Sequence, residues 1–145
     1  MNRALPLIAV LLLPALASAA EPPADFKPFQ GKWVVKAATL GGRDHTDDFA
    51  KLTLTVTGDK YEAGVNVLKD AGTITVDATK KPKWITLASS EKAGPFKGRT
   101  MPGIFELKDG TLTVCLNSEK QDRPKTFDAP EKTPLMLIEF VREKK

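Results

Sequence analysis

His45 is the only histidine in the chain, and it sits among carboxylates: Asp44, Asp47 and Asp48. Histidine and aspartate together can ligate a metal or carry a proton. A zinc site needs further His or Cys at ligand spacing, and Cys115, the sole cysteine, lies far along the chain. A local turn explains the cluster better, with Thr46 capping a single helical turn that Asp47 and Asp48 suit. No metal is expected. Ser89 and Ser90 lack the glycine-flanked elbow that presents a nucleophilic serine. Gly41-Gly42 is followed by Arg43 and by no helix long enough to cradle phosphate. Lys80, Lys81 and Lys83 cluster without interleaved aromatics, which describes a solvated loop and not a nucleic-acid surface. Cys115, flanked by apolar residues, reads as a small packed side chain. These residues assemble no catalytic centre. The chain is read as a non-enzyme without a cofactor.

The elements that would position any site are strands. The clearest stretch runs from Gly98 to Leu116. A β-rich segment ending in Phe105 and Leu107 meets Asp109-Gly110, the positive-φ pair of a tight hairpin. The return segment then alternates, with Leu112, Val114 and Leu116 on one face. The same period of two recurs elsewhere. Trp33, Val35 and Ala37 share a face of a first strand. Leu52, Leu54 and Val56 alternate with threonines in a second. Tyr61, Ala63, Val65 and Val67 continue a third, and Lys69-Asp70 is read as the turn into a fourth at Thr73 to Val76. Trp84 to Leu87 makes a fifth, with Trp84 outward. Pro102 makes the start of the sixth an edge or a bulge. Leu135 to Val141 closes the series. Arg43 to Ala50 is the one helix-like piece. Eight strands joined by mostly short turns predict an all-β fold: an eight-stranded antiparallel up-and-down β-barrel with one short helical turn. A two-sheet sandwich is the alternative.

A family resemblance rests on several of these residues. Gly31-Lys32-Trp33 resembles the Gly-x-Trp opening of lipocalins. Gly103-Ile104-Phe105-Glu106-Leu107, Asp109-Gly110, Thr111-Leu112, Cys115-Leu116 and Arg123-Pro124 resemble a narrower group. This is an uncharacterised family of small, exported lipocalin-like domains found chiefly in planctomycete bacteria. Leu52-Thr53, Gly58-Asp59-Lys60-Tyr61 and Lys81-Pro82-Lys83 fit the same pattern. The resemblance spans Phe29 to about Arg142 and implies a lipocalin-like barrel. It also implies that a late arginine, Arg142, covers Trp33 and stoppers one end.

The first 20 residues read as a signal peptide. Arg3 is followed by an apolar run, Ala4 to Ala17, and by a small-residue cleavage site at Ala17-Ser18-Ala19. The run falls short of the roughly 20 residues of a membrane span. Cleavage after Ala20 leaves 125 residues with a net charge of +3, down from +4 for the 145-residue chain. That length suits a single domain. Residues 21–28 are read as a flexible lead-in, with Phe26 and Phe29 as a plug for one end, and residues 29–145 as the barrel. An exported, periplasmic or extracellular monomer is expected. Two functions stay open. One is a small apolar ligand bound in the barrel mouth, with Trp33, Leu54, Tyr61, Phe105 and Phe140 as interior contacts. The other is a filled barrel acting through its loops on an envelope protein. Neither nucleic acid nor a membrane span is expected.

Overall fold

The computed structural model describes residues 24–119 and 122–144. The expected signal peptide and residues 21–23 of the lead-in lie outside the described residues. The described residues begin with a 3-10 helix, η1 (Ala24–Phe29), and continue as nine strands. These are β1 (Gly31–Leu40), β2 (Arg43–Asp44), β3 (Thr53–Thr57), β4 (Lys60–Val65), β5 (Leu68–Asp77), β6 (Lys83–Ser89), β7 (Thr100–Lys108), β8 (Thr111–Asn117) and β9 (Leu135–Arg142). β2 is a two-residue spur on the end of β1. The other eight pair in sequence order, and β9 returns to β1. The fold is an eight-stranded, closed, antiparallel up-and-down barrel. Closure gives every barrel strand two partners and leaves no long edge exposed.

Cross-strand partners share a face, so the register fixes the interior. Trp33 stands opposite Leu54, Val56 opposite Tyr61, Phe105 opposite Val114, and Leu112 opposite Phe140. All eight are buried.

In β1 the simple alternation breaks. Val35 pairs with Phe140 but Ala37 pairs with Glu139, so Lys36 is an extra residue in a bulge. Ala38 and Leu40 therefore turn inward in place of Ala37, and Ala38 is fully buried. The bulge leaves Lys36 outside, where its ammonium lies 3.8 Å from Glu139. A period of two cannot register an inserted residue.

The turn into β5 also differs from expectation. It lies at Asn66-Val67, with Val65 opposite Leu68, and not at Lys69-Asp70. Asn66 supplies the positive φ of 53° that a two-residue turn requires, a conformation asparagine tolerates. Val67 is then the exposed tip and not a fourth inward residue.

Residues 43–50 form β2 and turns, not a helix. Their polar groups are engaged by the end of β1. Thr46 Oγ1 accepts the Ala38 amide at 3.1 Å, and the His45 amide donates to the Ala38 carbonyl at 2.8 Å. The Thr46 amide is taken by Asp44 Oδ1 at 2.8 Å. With its hydroxyl engaged by β1, Thr46 does not cap a helix.

In the long connection 118–134, residues 122–134 pack on the outside of β6, β7 and β8. Arg123 donates to the carbonyls of Ile85 and Gly103 at 2.7 and 2.6 Å and to Thr86 Oγ1 at 3.0 Å. The Cys115 thiol faces the Asp128 carbonyl at 3.4 Å. Pro124 and Ala129 are buried against this face, together with outward-pointing Pro102, Ile104 and Cys115. That second layer explains why Met101 to Phe105 is buried on both faces. Pro102 lies where β7 pairs with β6 alone, because the β8 ladder starts at Gly103. Its missing amide hydrogen therefore costs no ladder bond on the β8 side.

Candidate functional site: an apolar cavity with a polar mouth

The two ends of the barrel are built differently. At one end lie the β3–β4 and β7–β8 turns, η1, and the start of β1. Phe29 is buried there, its ring packed edge-on against Phe105 with centroids 4.8 Å apart. Its carbonyl accepts the Trp33 indole Nε1–H at 2.8 Å. Arg142, opposite Trp33 in the register, sets its guanidinium 4.4 Å from the indole centroid. The same guanidinium donates to the carbonyls of Gln30 and Pro28. Gly31 leaves just enough space, since a Cβ there would lie 3.0 Å from the Arg142 Nη1. Gln30 adds a second tie: it donates to the Gly58 carbonyl and accepts the Gly58 amide. This end is sealed by aromatic rings and by a cation whose donors meet backbone carbonyls.

Above the seal the barrel is hollow. A cavity of about 350 Å³ runs from Phe29 and Val56 at its floor to Leu40, Phe49, Val65, Phe96 and Met136 at the opposite end. A cavity of about 150 Å³ holds benzene, so this one has space for roughly a dozen carbon atoms. Its walls are almost wholly hydrocarbon. Leu54, Tyr61 and Phe140, all expected inside, line it. Trp33 and Phe105 are also inside but belong to the sealed end. Phe29 stands between them and the hollow. Sequence reading saw Phe26 and Phe29 as a plug and left open what the plug would shield.

The residues that sequence reading missed are polar. Asp70 lies on the inward face of β5, 5% exposed. It accepts the Tyr61 hydroxyl on Oδ2 at 2.8 Å and the Ser89 hydroxyl on Oδ1 at 2.6 Å. The register accounts for this meeting. Gly72 stands between Tyr61 of β4 and Ser89 of β6, paired with both, and Asp70 is two residues away on the diagonal. Long side chains reach such diagonal neighbours across a sheet. Gly72 admits the close approach of β6, since a Cβ there would fall 1.9 Å from the Ala88 carbonyl oxygen. Burial, and then the bond and negative charge of Asp70, push the Tyr61 hydroxyl pKa well above its ordinary value. Tyr61 is therefore a neutral donor at any physiological pH. Ser89 Oγ also accepts the Glu91 amide at 3.2 Å. Arg99 lines the cavity at the same end. One signal for this cluster was present in the sequence. Counting back by twos from Val76 and Ile74 reaches Gly72 and Asp70.

The other features noted at the start take structural places. His45 Nδ1 lies 2.8 Å from Asp48 Oδ2 in an exposed turn. No group of three potential metal ligands occurs among the described residues. Burial raises the Cys115 thiol pKa, which works against the reactive thiolate. Arg123-Pro124 and Cys115 of the family-like pattern are the fastenings of the 118–134 segment. Among the described residues no helix is long and apolar enough to cross a membrane.

No family model, curated protein or solved structure matched this chain.

Proposed function

We propose that this protein is an exported binding domain that carries a small, largely apolar ligand in the barrel mouth, and that it is not an enzyme. The supporting observation is the hollow itself: about 350 Å³ of hydrocarbon-lined space above an aromatic seal. Volumes of roughly 300–1,000 Å³ are usual for small-molecule sites. Eight strands give a barrel just wide enough for packed side chains or one such ligand. The chain leaves the space unfilled while building a dedicated plug at the other end. Burying a hydrocarbon chain there removes apolar surface from water at about 25 cal/mol per Å².

The loop-based reading draws on Trp84, 39% exposed on the outer face. Its ring is already engaged by Lys80 and Arg123, at 4.7 and 4.5 Å from its centroid. Arg123 is at the same time fastened to two backbone carbonyls, so the ring serves the packing of the 118–134 segment.

The test is uptake of a neutral fluorescent apolar probe, N-phenyl-1-naphthylamine. Its emission should rise on the native protein and fall again as single-chain lipids displace it. Leu54→Trp, which fills the hollow from β3, should abolish uptake while leaving the β circular dichroism spectrum intact. Absence of uptake by the native protein defeats the proposal.

A further inference from the structure

The cavity mouth carries charge that an apolar ligand alone does not explain. Asp70 is buried, yet both hydrogen bonds it accepts come from neutral hydroxyls, those of Tyr61 and Ser89. Among the described residues no basic side chain forms a salt bridge with it. Each carboxylate oxygen has two acceptor sites, so one on each stays open. A buried carboxylate without a counter-charge is costly, and a cationic partner offsets that cost. Glu91 adds a second negative charge close by, half-buried and with its amide bonded to Ser89 Oγ. Among the described residues Arg99 is the one cationic side chain lining the cavity, and it forms no ion pair with Asp70. Asp70 and Glu91 thus set two carboxylates near the Arg99 guanidinium at the mouth.

The position of the cluster matters as much as its charge. Asp70 lies two residues from the start of β5, Ser89 is the last residue of β6, and Arg99 directly precedes β7. All three are at the open end, and the hydrocarbon walls lie below them. A ligand with one polar end would seat its tail in the barrel and its head at this ring.

We propose that the cavity selects a single-chain amphiphile with a primary ammonium head, whose N–H groups donate to the open acceptor sites of Asp70. The proposal rests on the cavity-binding reading above and sharpens it to one head-group chemistry. Tyr61 and Ser89 hold the carboxylate in place. The ammonium supplies the missing positive charge.

Dodecylamine, dodecanol and dodecanoic acid share a tail and differ in the head. Each is titrated, below its aggregation threshold, against N-phenyl-1-naphthylamine bound to the full protein. The amine should displace the probe at a concentration at least about tenfold lower than either competitor, as a charge-assisted hydrogen bond implies. Asp70→Asn should reduce that preference to less than about twofold. Arg99→Gln, which keeps Asp70, should tighten amine binding and still decides the matter if Asp70→Asn fails to fold. Equal displacement by all three heads, a preference for the acid, weaker amine binding in Arg99→Gln, or a preference that survives in folded Asp70→Asn overturns the proposal and leaves cavity binding standing. Failure of all three to displace the probe, or failure of the probe to bind, overturns both.

Discussion

Tyr61 and Asp70 illustrate how a barrel interior treats a polar residue. The phenol contributes hydrocarbon to the cavity wall and aims its hydroxyl at a carboxylate on the next strand. No buried side-chain nitrogen or oxygen among the described residues lacks at least one hydrogen-bond partner. The energetic consequence appears at high pH. Burial, and then Asp70, raise the Tyr61 pKa in the folded state above its ordinary value of 10.0. Its contribution to stability is complete below pH 10. Above that, the unfolded chain releases a proton that the folded chain keeps, so stability falls as the pH rises. Tyr61 is the only tyrosine, so ultraviolet absorbance reads it directly. The phenolate band of the native protein should stay absent at pH 11 and appear on unfolding in denaturant. A native phenolate band rising near pH 10 would show Tyr61 to be solvated. Tyr61→Phe should flatten the alkaline loss of stability.

The element that most separates this barrel from a bare ring of hairpins is the 118–134 segment. Its residues 122–134 cover one outer face of β6, β7 and β8, and Arg123 fastens them. Three hydrogen bonds from one guanidinium reach two strands, with the Trp84 ring beside it. Burial works against the charge of Arg123. The carbonyls it meets gain charged donors worth about 1.5–3 kcal/mol each when buried. Arg123→Ala should therefore cost about 2–3 kcal/mol in denaturant melts and loosen the segment over Cys115. Alkylation of the Cys115 thiol, slow in the native protein, should accelerate in this variant at a denaturant concentration where both proteins remain folded. Stability loss without faster alkylation would place the segment's anchorage elsewhere. In the sequence this stretch is polar and carries Pro124, Pro130 and Pro134. Its role was hidden because Pro124 and Ala129 carry no periodic signal. The apolar runs in β7 and β8, which face a second layer, do reveal double burial once the fold is known.

At the scale of the whole molecule, the first and last barrel strands close the barrel against each other. β1 and β9 pair over seven register positions, and Trp33 meets Arg142 at the sealed end. A double-mutant cycle with Trp33→Phe and Arg142→Met should give a coupling energy of about 0.5–2 kcal/mol. A value of zero would mean that Arg142 acts only through its bonds to the Gln30 and Pro28 carbonyls. The strands, their antiparallel order, the tight turn at Asp109-Gly110 and most inward residues were legible in the sequence. Each depends on the pleat, which sends neighbouring side chains to opposite faces, and on turn residues a few positions away. Three things were decided only by the closed barrel. The bulge at Lys36 exists only in the pairing of β1 with β9. The meeting of Tyr61, Asp70 and Ser89 needed three strands in register. The hollow depends on barrel radius against the summed volume of all inward side chains, a balance that no single strand contains. Alternation says which way a side chain points, and only the assembled ring determines whether it finds a neighbour, a carboxylate or empty space.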